Sequence, residues 1–204
     1  MRLILIGMPR AGKTSVGKCC AEKLQLPFFD TDTLLSARFG VSPAELFGRY
    51  GRREFREREF CTLRNFLQTT DDFVLATGGG IVEHDGSLAL LAAEKAVALV
   101  TAPLSVITER LLREQSAGKP PPRFFHNEQP ASSHSKPTND DCGAFIQEKL
   151  HALFVRRDSL YTSVARYTIV NDGTVEKAAE TLLSLIECGS NFKVAPLQSD
   201  FTKC

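Results

Sequence analysis

The segment Gly7-Met8-Pro9-Arg10-Ala11-Gly12-Lys13-Thr14 constrains this chain more than any other. It matches the pattern GxxxxGK[ST], follows the apolar run Leu3-Ile4-Leu5-Ile6 and opens a stretch of helical periodicity. Strand, glycine loop and helix in that order are the setting in which the pattern cradles phosphate. Glycines let the backbone bend until its N–H groups face an anion, and the positive end of the following helix adds field. Lys13 then reaches the β/γ-phosphates of a nucleoside triphosphate, and Thr14 offers its hydroxyl to Mg²⁺. Gly7, Pro9, Arg10, Ala11, Gly12, Lys13, Thr14 and Ser15 are therefore the candidate ATP contacts of the loop. The loop sets the ligand class and leaves the reaction open. No NKxD-type segment for reading guanine accompanies it. Arg10 crowds a loop that takes small residues more easily, unless its side chain points outward.

The rest of the chain alternates short apolar runs with helical stretches. Strands are expected at Leu3–Ile6, Pro27–Phe29, Phe73–Ala76, Ala96–Val100 and Tyr167–Val170. Most are apolar throughout, as parallel strands covered on both faces are. Helices are expected at Lys13–Leu24, Pro43–Phe47, Arg52–Leu67, Leu88–Ala93, Pro103–Arg113, Phe145–Val164 and Val175–Ile186. Ser42 and Thr174 stand where caps are wanted. The order predicts an α/β three-layer sandwich, a five-stranded parallel sheet with helices on both faces.

At 204 residues the chain suits a single domain. Basic and acidic residues number 25 and 24, so no global field favours nucleic acid or an anionic membrane. The opening apolar run is too short for a signal-peptide core or a membrane span, which predicts a cytoplasmic protein. Six scattered cysteines without CxxC or Cys/His spacing read as reduced thiols rather than zinc ligands. Between about Ala117 and Gly143, Pro120, Pro121, Pro122, Pro130 and Pro137 lie among Ser, Asn, Asp and His. That composition builds no core and predicts a long exposed loop, a mobile lid being its usual use. The tail after Cys188 is expected to be peripheral.

Three further segments carry chemistry. Phe28-Phe29-Asp30-Thr31-Asp32 ends the second strand, and residues i and i+2 of a strand share a face. Asp30 and Asp32 would then point together at the carboxyl edge of the sheet, where open α/β sheets bind ligands. The alternative is that one of them caps a helix. Phe55-Arg56 lies on a charge-dense helical stretch whose plain reading is a solvated face. Gly78-Gly79-Gly80 follows a buried strand and permits either close approach of a ligand or an ordinary tight turn.

Together and in this order, these segments resemble the shikimate kinase family, from about Met1 to Ile186. The P-loop, FFDTD, GRREFRERE, ATGGGIV and RRDSLY carry the resemblance, which implies an ATP-dependent kinase acting on the 3-hydroxyl of shikimate, on the way to chorismate. By that resemblance Asp32 holds the acceptor hydroxyls as candidate base, and Asp30 stands near the magnesium shell with Thr14. Arg56 and Arg157 grip the substrate carboxylate, and the Gly78–Gly80 turn lies beside the ring. Arg123 matches the lid arginine, which makes Lys13, Asp32 and Arg123 the candidate catalytic set. Arg110 or Arg113 lies in the segment that stacks on adenine. The resemblance also implies a monomer, with an acceptor segment at about 31–61 and a lid at about 113–143. The chain departs from the family in a longer, more polar lid, where Phe124-Phe125 follow Arg123 in place of proline and leucines.

The chemistry fits these residue types on its own terms. A carboxylated polyol needs a cationic fork, which arginine supplies in bidentate form. It also needs a carboxylate to orient its hydroxyl for in-line attack. A gluconate kinase satisfies the same charge logic. A catalytically silent nucleotide-binding homologue would be expected to lack Lys13, Thr14 or an acceptor carboxylate, and all three are present.

Overall fold

The computed structural model describes residues 1–69, 71–118 and 139–189, and backbone alone for residues 69 and 139–144. Five parallel strands form one sheet in the order β2-β3-β1-β4-β5. They are β1 (Arg2–Ile6), β2 (Phe28–Asp30), β3 (Phe73–Ala76), β4 (Val97–Thr101) and β5 (Tyr167–Val170). Each expected strand is present, shifted by at most one residue. β1 is central, with Ile4 opposite Leu75 of β3 and Val97 of β4. Leu3 to Ile6 and Phe73 to Ala76 are wholly buried, which is why those runs are apolar on both faces. The edge strands β2 and β5 are more exposed.

Among the described residues seven α-helices cover the sheet: α1 (Lys13–Leu24), α2 (Thr31–Phe39), α3 (Pro43–Thr69), α4 (Asp85–Ala93), α5 (Leu104–Ser116), α6 (Asn139–Val164) and α7 (Val175–Glu187). α1 packs against α7, while α3, α4, α6 and α5 pack in succession. Phe66 of α3 bridges to Phe29 of β2 and Phe73 of β3, each with ring centroids 4.8 Å apart, and so ties that helix to the sheet. Two caps match the sequence reading. Ser42 Oγ accepts from the Glu45 N–H at 3.2 Å, and Thr174 Oγ1 accepts from the Lys177 N–H at 3.3 Å. Among the described residues no helix is long and apolar enough to cross a membrane.

The helices differ from expectation in several places, α6 among them, which starts at Asn139 rather than Phe145 and so takes in the end of the stretch expected as loop. α2 lies where none was expected; its ends are set locally, by Asp30 at the N-cap and by Gly40 in the left-handed region beyond Phe39. The two helices expected within 43–67 follow one another directly as α3, broken at Gly51 by φ 72°, ψ 176°. A short 3-10 turn, Ile81–Glu83, follows the triple glycine. α2 and the start of α3 share a small cluster of their own, Leu35, Leu46, Phe47 and Phe55, apart from the main core. All four residues lie between positions 31 and 61. The stretch 113–143 is helical at both ends, through Ser116 and from Asn139, and 119–138 lie outside the described residues, as do 190–204 of the tail.

Gly7, where β1 gives way to the loop, has φ 140°, and a Cβ there would lie 2.1 Å from the Val100 carbonyl oxygen of β4. Strain and a backbone clash then add, so Gly7→Ala is expected to lose at least about 2 kcal/mol in urea unfolding. Gly40→Ala, at φ 69° with open space around it, is expected to lose only about 1–2 kcal/mol. Equal losses for the two variants would show that the contact with β4 is unimportant.

Candidate active site

The loop after β1 folds back on itself, the Ala11 N–H donating to the Met8 carbonyl at 3.2 Å. Arg10 sits in the left-handed region at φ 63°, a conformation that costs a non-glycine residue about 1–2 kcal/mol. Its side chain does leave the loop, and pairs with Glu114 of α5 at 2.6 Å. Arg110 of α5 donates to the carbonyls of Arg10 (3.0 Å), Ala11 (3.2 Å) and Asn171 (3.0 Å). Asn171, just past β5, donates its amide to the Ala11 carbonyl at 2.8 Å. The loop is thus braced from outside by α5 and the end of β5.

Lys13 is buried at the start of α1, its Nζ donating to the carbonyls of Gly7 (3.0 Å) and Met8 (2.9 Å). Burial pushes its pKa down to about 8, although the charges of Asp32 and Asp30 pull it upward.

Asp30 and Asp32 do not share a strand face. Asp30 ends β2 and caps α2, its Oδ1 accepting from the Asp32 N–H at 2.9 Å, while Asp32 stands in the first helical turn. The capping alternative therefore holds for Asp30, and the strand-face expectation fails because the chain turns helical at Thr31. Both carboxylates still reach one cavity. Asp30 Oδ2 accepts from Thr14 Oγ1 at 2.9 Å, which joins the two segments. A hydroxyl and one or two carboxylates are hard oxygen donors that suit Mg²⁺ when phosphates and waters complete its octahedron. Among the described residues no group of three or more His, Cys, Asp or Glu forms an all-protein cage.

The glycine turn after β3 is where the chain meets itself. A Cβ on Gly78 would lie 2.8 Å from Glu59, on Gly79 2.8 Å from Pro9, and on Gly80 1.9 Å from the Arg56 guanidinium. The close approach seen here is to the protein's own groups. The Gly78 N–H donates to Thr31 Oγ1 at 2.8 Å, and the Tyr161 hydroxyl donates to the Gly79 carbonyl. Phe55-Arg56 is not a solvated face: Phe55 is buried, and Arg56 donates to Glu59 through Nη1 and to Glu83 through Nε and Nη2. Arg157 of α6 is buried too and donates through Nε to the same Glu83 at 3.0 Å.

A cavity of about 740 Å³ at the carboxyl edge of the sheet joins these parts. Pro9, Arg10, Gly12, Lys13, Thr14 and Ser15 line one end, with Arg110 and Arg113 beside them. Arg56, Arg157, Gly78, Gly79 and Gly80 line the other, and Asp30 and Asp32 complete the wall. Gly7 and Ala11 are buried behind the loop and do not line it. Arg110 serves the loop's own carbonyls, and Arg113 pairs with Glu109 at 2.6 Å on an exposed face. Arg123 lies outside the described residues.

The model of the family described as shikimate kinase matches residues 9–187. A shikimate kinase of Aromatoleum aromaticum is 34% identical over 85% of this chain and 85% of its own. One from Chromobacterium violaceum is 31% identical over 79% of this chain and 76% of its own. This chain belongs to the shikimate kinase family. Its fold agrees with that of the Acinetobacter baumannii shikimate kinase solved in complex with shikimate, at TM-score 0.75, 29% identity and coverage of 93% and 94% of the two chains. The Bacteroides thetaiotaomicron shikimate kinase follows at TM-score 0.74, 26% identity and coverage of 92% and 98%.

Sequence reasoning passed over several residues of this shikimate kinase family site: Glu59, Glu83, Arg52 and Asn171. The first and third could have been found from spacing, since Arg52, Arg56 and Glu59 recur at i, i+4 and i+7 on one helix face. Glu83 and Asn171 carry no such signal. Because Lys13 has a pKa of about 8 in the free protein, its cation is present below that pH and lost above it. The kcat/KM for ATP, which reports the free enzyme, is therefore expected to fall as pH rises through about 8. A profile flat to about pH 9.5 would contradict a lowered lysine.

Proposed function

We infer that this chain transfers the γ-phosphoryl group of ATP to the 3-hydroxyl of shikimate, giving shikimate 3-phosphate and ADP. The observation that carries the reading is a single cavity with the buried Lys13 at one end and Arg56 and Arg157 at the other, the wall between them completed by Asp30 and Asp32.

 Lys13, Arg56 and Arg157 stand on α1, α3 and α6, and the cavity brings them together.

In this reading the loop N–H groups and Lys13 hold the β- and γ-phosphates, while Arg56 and Arg157 hold the acceptor carboxylate in a charge-assisted fork. The acceptor is then fixed with its hydroxyl near Asp32. Asp32 orients that hydroxyl and takes its proton as the oxygen attacks the γ-phosphorus. The bond from that phosphorus to the bridging oxygen breaks, and ADP leaves. Thr14 and Asp30 would hold Mg²⁺, which supplies charge neutralisation on the phosphates when bound. Arg110 and Arg113 are assigned to the nucleotide end, and Arg123 to the lid. A cytoplasmic, monomeric enzyme completes the proposal.

ADP release is expected to depend on shikimate and not on gluconate; release at the same rate without shikimate would refute the reading. Arg56→Ala and Arg157→Ala are each expected to raise the KM for shikimate by about 10- to 100-fold, the worth of a hydrogen bond to a charged group. The KM for ATP should stay within about threefold. Gly80→Ala, whose methyl displaces the Arg56 guanidinium without removing its charge, should give the same pattern. An unchanged shikimate KM in all three variants would remove the clamp.

A further inference from the structure

Glu83 ends the 3-10 turn that follows the triple glycine and is 11% exposed. Four guanidinium groups from two helices converge on it. Its Oε2 accepts from Arg56 at 3.1 Å (Nε) and 2.8 Å (Nη2). Its Oε1 accepts from Arg157 Nε at 3.0 Å and Arg156 Nη2 at 2.6 Å, with Arg52 Nη1 at 3.8 Å. Burial opposes its ionisation, but the charge and hydrogen bond of Arg157, with Arg56 and Arg156, outweigh burial and hold the carboxyl at about 2. Arg52 feels the crowding. Burial lowers its pKa, Glu83 pulls against that, and Arg156, Arg56 and Arg157 push it further down.

The side of approach decides what Glu83 does. Arg52, Arg56 and Arg157 line the cavity, and Glu83 does not. Its carboxylate therefore engages these guanidinium groups from outside the cavity lining, while Glu59 accepts from Arg56 Nη1. Arg56 and Arg157 are each held through Nε, the atom that sets the direction of the fork. We propose that Glu83 is the positioning residue of the acceptor end, aligning Arg56 and Arg157 as one fork and holding their like charges together. The proposal rests on the reading of those two arginines as the carboxylate clamp.

The test uses Glu83→Gln and Glu83→Asp in the full chain. Glu83→Gln keeps the shape and removes the charge, and is expected to raise the KM for shikimate by about 10- to 100-fold with the KM for ATP within about threefold. Glu83→Asp, which keeps the charge and withdraws it by one methylene, should fall between wild type and Glu83→Gln. The order Glu, Asp, Gln in shikimate KM alone is a result that general destabilisation would not produce. A shikimate KM unchanged or lowered in Glu83→Gln overturns the proposal; a lowered value means that the glutamate competes with the acceptor. If Glu83→Gln does not fold, an unchanged shikimate KM in Glu83→Asp overturns it equally. The clamp reading fails separately, through Arg56→Ala and Arg157→Ala that leave the shikimate KM unchanged. In that case the arginine Nε–H resonances decide: Glu83→Gln should still shift those of Arg56 and Arg157, and unshifted resonances refute the positioning role.

Discussion

β1 lies between β3 and β4 with Leu3 to Ile6 sealed from water. Parallel strands in register must release their chains at the same edge, so the segments leaving β1 and β3 emerge side by side. The phosphate loop and the triple glycine are those two segments. Their contact is tight enough that a methyl on Gly79 would collide with Pro9. β2, paired to β3, delivers Asp30 to the same edge, and β5, beyond β4, delivers Asn171. Hydrophobic burial of one strand thereby sets the relative positions of groups that carry the chemistry.

The two ends of the cavity handle buried charge in opposite ways. At the loop, one cation is buried among carbonyls, and its pKa falls because neutral dipoles offset only part of the lost hydration. Asp30 and Asp32 temper that fall. At the other end several cations are gathered around one carboxylate, and the carboxylate's pKa falls because the arginines outweigh its burial. A buried charge without a partner is costly, so removing either the carboxylate or an arginine there disturbs the groups that remain.

Much of this was legible in the chain. The P-loop could be read because strand, glycines, lysine and hydroxyl are contiguous, and the strands because burial on both faces demands unbroken apolar runs. α2 was not legible, since capping by Asp30 and Gly40 defines it more than any apolar stripe. For the same reason Asp30 and Asp32 were expected on a strand face, although they reach the cavity from a cap and a helical turn. Arg10 looked misplaced in sequence because Glu114, its partner, is 104 residues away along the chain (114 − 10).

The sequence by itself determined the strand set, the phosphate loop and the types of group an anionic, hydroxylated acceptor needs. Those are local properties, written in contiguous residues and short spacings. Only the tertiary structure decided which arginines meet, that Glu83 joins Arg56 to Arg157, and that Arg110 and Asn171 brace the loop. Each of these contacts links residues far apart in the chain. Their geometry follows from how the helices pack on the sheet, which no single stretch of sequence contains.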